Sequence, residues 1–372
     1  MITLKEATSK KDLRKFVKFP FSIYKNSKYW IPPIISEEVK TFDKSENPVF
    51  QNADAQFFLA YRNNEIVGRV AAIINWIEVN DQAIKKMRFG WCDFIDDLDV
   101  SKALLDKVSE IGKANKLDFI EGPVGFSNLD KVGVMTEGYD EIGTMITWYN
   151  HAYYVKHYEA YGLSKAKEYV ENKFPFSNVK PETFTKLQTL IKRRYKLRAL
   201  IFKKTSDIMG YADEMFDVFE ASHAKLSSFV AINDEQKNYF KKKFLPFLNP
   251  EYVKFVVDEH DKLIAFAIVT PSFAEALQKM RGKLYPLGFR HLLHAKKHSK
   301  TITFYLIGVL PEYQNKGVTA IIFNEYFEEF TKKDIQWCIR GPELAENTAI
   351  HQLWKHMNPV VHKRRITMKK DL

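Results

Sequence analysis

Cysteine is nearly absent: Cys92 and Cys338 are the only two in 372 residues. Two are too few for a disulfide framework or a cysteine-rich metal site, and their scarcity points to a reducing compartment. Long apolar runs are missing as well. None approaches the ~18 residues that span a bilayer, and residues 1–15 alternate charge with single apolar side chains, unlike a secretory signal. The expected location is therefore cytoplasmic. With 15 glycines and 14 prolines, collagen and low-complexity architectures are excluded. Acid is in deficit too: 46 Asp and Glu stand against 57 Lys and Arg, and the net charge of +11 favours anionic partners. What remains is an ordinary globular composition, 45% hydrophobic and 28% charged. The length suits about two domains.

The hydrophobic pattern passes through one order of elements twice. Alternating apolar stretches joined by short polar turns predict β-hairpins at 57–61 with 66–74, and at 253–257 with 263–269. Each hairpin is followed by a strand (88–94; 301–309), an amphipathic helix (100–115; 318–330) and a short strand. The short strands end alike. Asn128 follows Glu121-Gly122-Pro123 at the same spacing as Asn347 follows Arg340-Gly341-Pro342, which marks an internal repeat. The first copy then carries an extra stretch, 129–149, before a helix near 151–161. The second enters a helix at once, 347–356. Strands at 164–170 and 361–368 close the two copies, and a Pro-containing linker at 173–181 leads into a basic helix ending near Tyr195. The expected fold class is α/β, with a mixed α+β sheet, divided into domains at 1–178 and 179–372.

Residues 271–300 stand apart. They hold Lys279, Arg281, Lys283, Arg290, Lys296, Lys297 and Lys300 against the single acid Glu275, together with Phe273, Leu277, Leu284, Leu287 and Leu293. This pattern predicts one or two basic amphipathic helices inserted between strands. The runs Lys192-Arg193-Arg194 and Lys363-Arg364-Arg365 read as solvated charge, because no nucleic-acid motif accompanies them. His291, His294 and His298 belong with the basic insertion rather than with a metal.

The stretch from Leu306 to Ala320 leads from a buried strand through a loop into a helix. First-turn amides of a helix have no intrahelical acceptor and lie at the positive end of its dipole, so an anion is stabilised there. Gly317 allows close backbone approach, and a small Thr319 leaves room. Val309-x-Pro311 and Gln314-x-x-Gly317-x-Thr319 resemble the signature of the GNAT superfamily of acyl-CoA-dependent N-acyltransferases, with Thr where Gly or Ala is usual. Asn347, Ala349 and Leu353 resemble a later element of that family, and the whole chain is similar to tandem GNAT proteins of bacteria.

The resemblance implies two GNAT-like domains in tandem, with acetyl-CoA or a longer acyl-CoA as co-substrate and no metal. The pantetheine arm would pair with the backbone near Ile307 and Val309. The pyrophosphate would lie on Gln314, Asn315, Lys316, Gly317, Val318, Thr319 and Ala320, with Asn347 nearby. In the first copy the corresponding loop holds Asp93, Asp96, Asp97 and Asp99 and no glycine, so a phosphate would be repelled there and the acids are free to cap the helix. Where the family often has a Tyr acid, this chain has Trp354. The candidate catalytic groups are Glu346, His351 and Tyr305, with Glu343 close by. The run 148–154, rich in Trp and Tyr, is expected to pack into the domain interface, with Asn150 as the alternative anchor of an acceptor pocket.

The expected activity moves an acyl group from CoA to a small-molecule or lipid amine, with residues 271–300 as a peripheral contact to the inner face of a membrane and nucleic acid not expected as partner. Two other readings stand beside it. One is a non-catalytic CoA-binding or metabolite-binding protein. The other is the tandem-GNAT type that transfers amino acids from tRNA to peptides, against which the intact Gln-x-x-Gly loop argues.

Overall fold

The computed structural model describes residues 1–372 except Asn128, Lys225, Ser227, Ser228 and 245–247, with only the backbone of Thr183 and Ala349. Asn128, one end of the repeated motif, thus lies outside the described residues. The first half contains β1 (Thr3–Glu6), α1 (Lys10–Lys18), α2 (Pro20–Ile23), α3 (Ile35–Phe42), β2 (Ala53–Arg62), β3 (Glu65–Asn75), β4 (Lys86–Phe94), α4 (Leu98–Ala114), β5 (Phe119–Gly122), β6 (Val134–Glu137), α5 (Tyr153–Ala160) and β7 (Ser164–Pro175). The second contains α6 (Glu182–Tyr195), β8 (Arg198–Leu200), α7 (Thr205–Met209), α8 (Ala212–His223), α9 (Asp234–Phe244), β9 (Val253–Val257), β10 (Leu263–Pro271), α10 (Ala274–Met280), α11 (Gly288–His298), β11 (Thr301–Val309), α12 (Thr319–Lys332), β12 (Trp337–Leu344), α13 (Thr348–Trp354) and β13 (Val360–Asp371). Both predicted hairpins form. β7 runs on to Pro175, into the stretch expected to be linker, because its continuation finds a partner in β12.

These strands make one mixed sheet in the order β1-β2-β3-β4-β5-β13-β7-β12-β11-β10-β9-β8, with β6 paired to β13. From either edge inward the two halves present the same series, until the centre. There β13 pairs with β5, from Met368↔Gly122 to Asp371↔Phe119, and β7 pairs with β12, from Trp337↔Pro175 to Leu344↔Tyr169. The closing strand of each half therefore completes the sheet of the other, which corrects the reading that each copy is closed by its own strand. β7 and β13 also pair with each other, antiparallel. The exchange leaves no open strand edge at the junction, where unpaired N–H and C=O groups would be costly.

The exchanged strands also explain a second difference from expectation. Alternation on β13 puts Lys363 and Arg365 on one face, where residues 133–142 cover them. Arg365 pairs with Glu171 and Lys363 donates to the Ile142 carbonyl at 2.6 Å. Both are 1% exposed. Only Arg364 of the run reaches solvent, between Glu137 and Glu168.

Residues 271–300 form two helices, α10 and α11, as expected. Their apolar face does not look outward. Phe273, Leu277, Met280 and Leu292 cluster with Ile34 and, partly buried, Met145 of the first half. Gly282, at φ +75°, makes this docking possible: a Cβ there would come 2.7 Å from the Phe21 ring and 2.9 Å from Ile35. The Ile35 amide donates to the Gly282 carbonyl at 3.0 Å.

Candidate active site

The site begins where two parallel strands part. β11 and β12 pair from Thr301↔Trp337 to Phe304↔Arg340 and no further. β11 continues along β10 to Val309, with a bulge at Tyr305 where Val269 faces Phe304 while Ile268 faces Leu306. From Tyr305 to Val309 its other edge has no partner strand among the described residues. β4 and β5 part in the same way after Arg88↔Glu121.

Beyond the open edge the chain turns through 310–318 into α12. Gln314 Nε2 donates to the Val309 carbonyl at 3.0 Å, tying the loop to the strand end. Asn315 (φ +60°) and Gly317 (φ +75°) are left-handed, a conformation that Asn and Gly adopt readily. A Cβ on Gly317 would lie 3.4 Å from Ile191 of α6, an ordinary contact, so it is the backbone conformation rather than packing that calls for glycine. The Ala320 amide bonds to the Gly317 carbonyl at 3.0 Å and that of Lys316 to Tyr313 at 3.4 Å. Among the described residues the amides of Asn315, Gly317, Val318 and Thr319 have no acceptor. Lys316 Nζ is 5.3 Å from the ring centres of both Tyr195 and Tyr313. The open donors, the start of α12 and this cation together favour an anion.

The matching place in the first half is already filled. Asp97 caps α4, accepting from the Asp99 amide at 3.0 Å, and pairs with Arg62 at 2.7 Å. The hydrogen bond from Arg62 holds its carboxyl below the usual range. Asp96 meets His157 at 2.9 Å. Asp93 is drawn into the interior, where Arg69 binds it at 2.7 Å and the Tyr24 hydroxyl donates to it at 2.9 Å. The expected phosphate repulsion thus has a concrete form, a carboxylate at the helix N-terminus. Asn150 accepts from the Met135 amide at 2.7 Å and donates to its carbonyl at 3.1 Å, so it is spent on backbone rather than facing an acceptor. Trp148, Tyr149, Tyr154 and Tyr158 surround it in a pocket within the first half.

The three candidate catalytic groups fall in different places. His351 lies near the fork: its Nε2 is 3.2 Å from the Leu344 carbonyl, which fixes Nε2 as the protonated nitrogen, and Nδ1 is 3.6 Å from Glu343. Burial raises the Glu343 carboxyl even though Arg340 binds it. Glu346 is exposed in the turn before α13 and is not brought to the fork. Asn347 caps α13, accepting from the Ile350 amide at 3.4 Å. Tyr305 lies at the bulge with its ring 5.9 Å from that of Phe244. Burial raises its phenol, and so does the charge of Asp130.

Asp130 comes from the first half and was not singled out in the sequence, nor was Asn172. Asp130 accepts from the Ser127 amide at 2.9 Å, and burial lifts its carboxyl above the usual range. Neither position carries a local signal: Asn172 meets Arg340 across the sheet and Asp130 acts on Tyr305 through its charge, relations that only the tertiary structure sets up. Arg340 stood in view, directly before the Gly-Pro pair that the two copies share. Among the described residues no group of three His, Cys, Asp or Glu is placed to hold a metal ion, and no helix is long and apolar enough to cross a membrane.

A splayed pair of parallel strands, an open loop into the following helix and a duplicated sheet define the fold of GNAT acetyltransferases in tandem. A tandem GNAT protein from the clavulanic acid biosynthesis pathway superposes on 100% of this chain and 98% of its own, with a TM-score of 0.60 at 8% identity. A GCN5-related N-acetyltransferase from Sphaerobacter thermophilus covers 100% of this chain and 95% of its own, at TM-score 0.53 and 8% identity. In sequence the chain is similar to protein YghO of Escherichia coli K12, 23% identical over 367 residues, spanning 96% of this chain and 92% of that protein. It is also similar to a bacterial ceramide synthase of Caulobacter vibrioides, 24% identical over 312 residues, 82% and 79% of the two chains. No family model matches the chain.

Proposed function

We propose that this protein is an acyl-CoA-dependent N-acyltransferase whose carrier binds in the second half and whose acceptor is an amine, of the lipid class. The observation that carries the reading is the continuity of three features: the open amides of Asn315, Gly317, Val318 and Thr319, the unpaired edge from Tyr305 to Val309, and the fork at Phe304 and Arg340. Charge-assisted hydrogen bonds of ~1.5 to 3 kcal/mol each would anchor a diphosphate on those amides. The arm would then run along the strand edge and end with its thioester at the fork. The amine nitrogen attacks the thioester carbon, the C–N bond forms, the C–S bond breaks, and the amine proton leaves to water or a carboxylate. Positioning supplies most of the acceleration. Asp130, whose carboxyl is raised by burial and whose charge is felt by Tyr305, suits the receipt of that proton.

Two features support a lipid acceptor. One relative is named a bacterial ceramide synthase, and ceramide is an N-acylated long-chain amine. On hairpin α10–α11, Tyr285 (74% exposed), Leu287 (56%) and Leu293 (53%) project among exposed Lys279, Arg281, Lys283, Arg290 and Lys297. Apolar side chains ringed by cations fit an anionic bilayer surface.

Calorimetric titration with CoA, acetyl-CoA and palmitoyl-CoA tests the reading. Binding of all three, tightest for palmitoyl-CoA, is expected. Equal affinities would remove the long-chain acyl group, and no binding of any would remove the carrier.

A further inference from the structure

The thioester end of the proposed groove contains two buried donors with nothing to bind. Trp354, on α13, is 1% exposed, and its indole Nε1 has no hydrogen-bond partner among the described residues. Asn172, on the exchanged strand β7, is 4% exposed, and its Nδ2 has none either. Both stand at the fork. Phe304 and Arg340 are the last pair joining β11 to β12. The Trp354 ring centre is 4.6 Å from that of Phe304 and 4.8 Å from the Arg340 guanidinium, and Asn172 is the cross-strand partner of Arg340 on β7. Buried donors are nearly always satisfied in folded proteins, so two orphans that both adjoin Arg340 at the fork mark a place that a ligand completes.

We propose that Trp354 and Asn172 are catalytic residues that hold the departing sulfur of the carrier as a hydrogen-bonded thiolate, in place of an ionisable acid. This inference rests on the acyl-CoA reading above. An indole N–H donates a hydrogen bond but keeps its proton at any physiological pH. In the step it serves, the amine lone pair forms the C–N bond and the C–S electron pair returns to sulfur. The ammonium proton passes to Asp130 or to water. The thiolate rests against the indole and amide N–H groups, and takes a proton from water once released. Donors fixed in a dry site stabilise developing charge without reorganising. The first half contributes directly to this chemistry, because Asn172 belongs to the strand it lends across the junction.

The test follows the thiol of free CoA bound stoichiometrically to the full chain, by thiolate absorbance across pH, with calorimetry alongside. Bound CoA should titrate below free CoA. Trp354→Phe, which keeps the ring and loses the donor, should lower the thiolate-to-thiol ratio about tenfold at fixed pH while leaving the affinity for desulfo-CoA unchanged. Asn172→Leu should act in the same direction and serves as the second variant if Trp354→Phe does not fold. CoA that binds but titrates identically in the wild type and in a folded variant overturns this inference and leaves the carrier site standing. Absence of CoA binding to the wild type overturns both.

Discussion

The two halves differ in who supplies the negative charge at a helix N-terminus. In the first, Asp97 does so from within the chain; in the second, the start of α12 is open. Thr319→Asp gives α12 an acid of its own in the first turn. At about 5 Å from a bound phosphate charge and an effective dielectric of ~20, repulsion is about 3 kcal/mol per charge pair. Salt screening at physiological ionic strength reduces this, and about 2 kcal/mol corresponds to a roughly 30-fold weaker Kd for CoA. The same acid interacts favourably with the helix dipole by ~0.3 to 1 kcal/mol, so the fold should be at least as stable. The measurement is calorimetry with CoA on both proteins, together with thermal melts in its absence. Loss of affinity with an undiminished melting temperature is the expected pair of results. A Kd within about threefold of wild type, in a protein that melts normally, would mean that no diphosphate binds at this turn.

Glu78 gives a pH prediction. Burial alone would raise its carboxyl, but Arg88 and Lys86, each 2.7 Å away, hold it at about 2 against an ordinary 4.5. Because the folded-state value is depressed, the associated stabilisation, on the order of 3 kcal/mol, is complete above pH ~4.5 and is lost as pH falls from there toward 2. Urea unfolding should show Glu78→Gln costing its full amount near neutral pH and little at the acid end, whereas a pH-independent difference would contradict the ion-pair account. Gly282→Ala meets the Phe21 and Ile35 side chains in a left-handed conformation and should cost about 1 to 3 kcal/mol; an unchanged denaturation midpoint would show that α10–α11 docks without needing that contact. Vesicle sedimentation with Leu287→Asp should show weaker binding to anionic lipid vesicles, and no wild-type binding to such vesicles would dismiss the bilayer contact.

Local chemistry was legible in the sequence. Period-2 and period-3.6 patterns placed both hairpins, the strand after each and helices α4 and α12, because backbone conformation and amphipathic faces depend on near neighbours, while α1 to α3 and α7 to α9 were not anticipated. The turn around Gln314 and Gly317 was visible for the same reason: a left-handed residue before a helix is a local requirement. The destination of β7 and β13 was not legible. Two edges of similar pattern compete for each closing strand, and the choice between them is made by contacts well over a hundred residues apart in the chain, such as Arg365 with Glu171. That choice buried a basic run that reads as solvated. It also brought Asn172 to the fork of the opposite half, while Glu346, plausible by spacing, turned to solvent. The sequence determined which segments are strands, helices and anion-ready turns; the tertiary structure alone decided which side chains share one fork, because burial is a property of the assembled sheet and not of any segment within it.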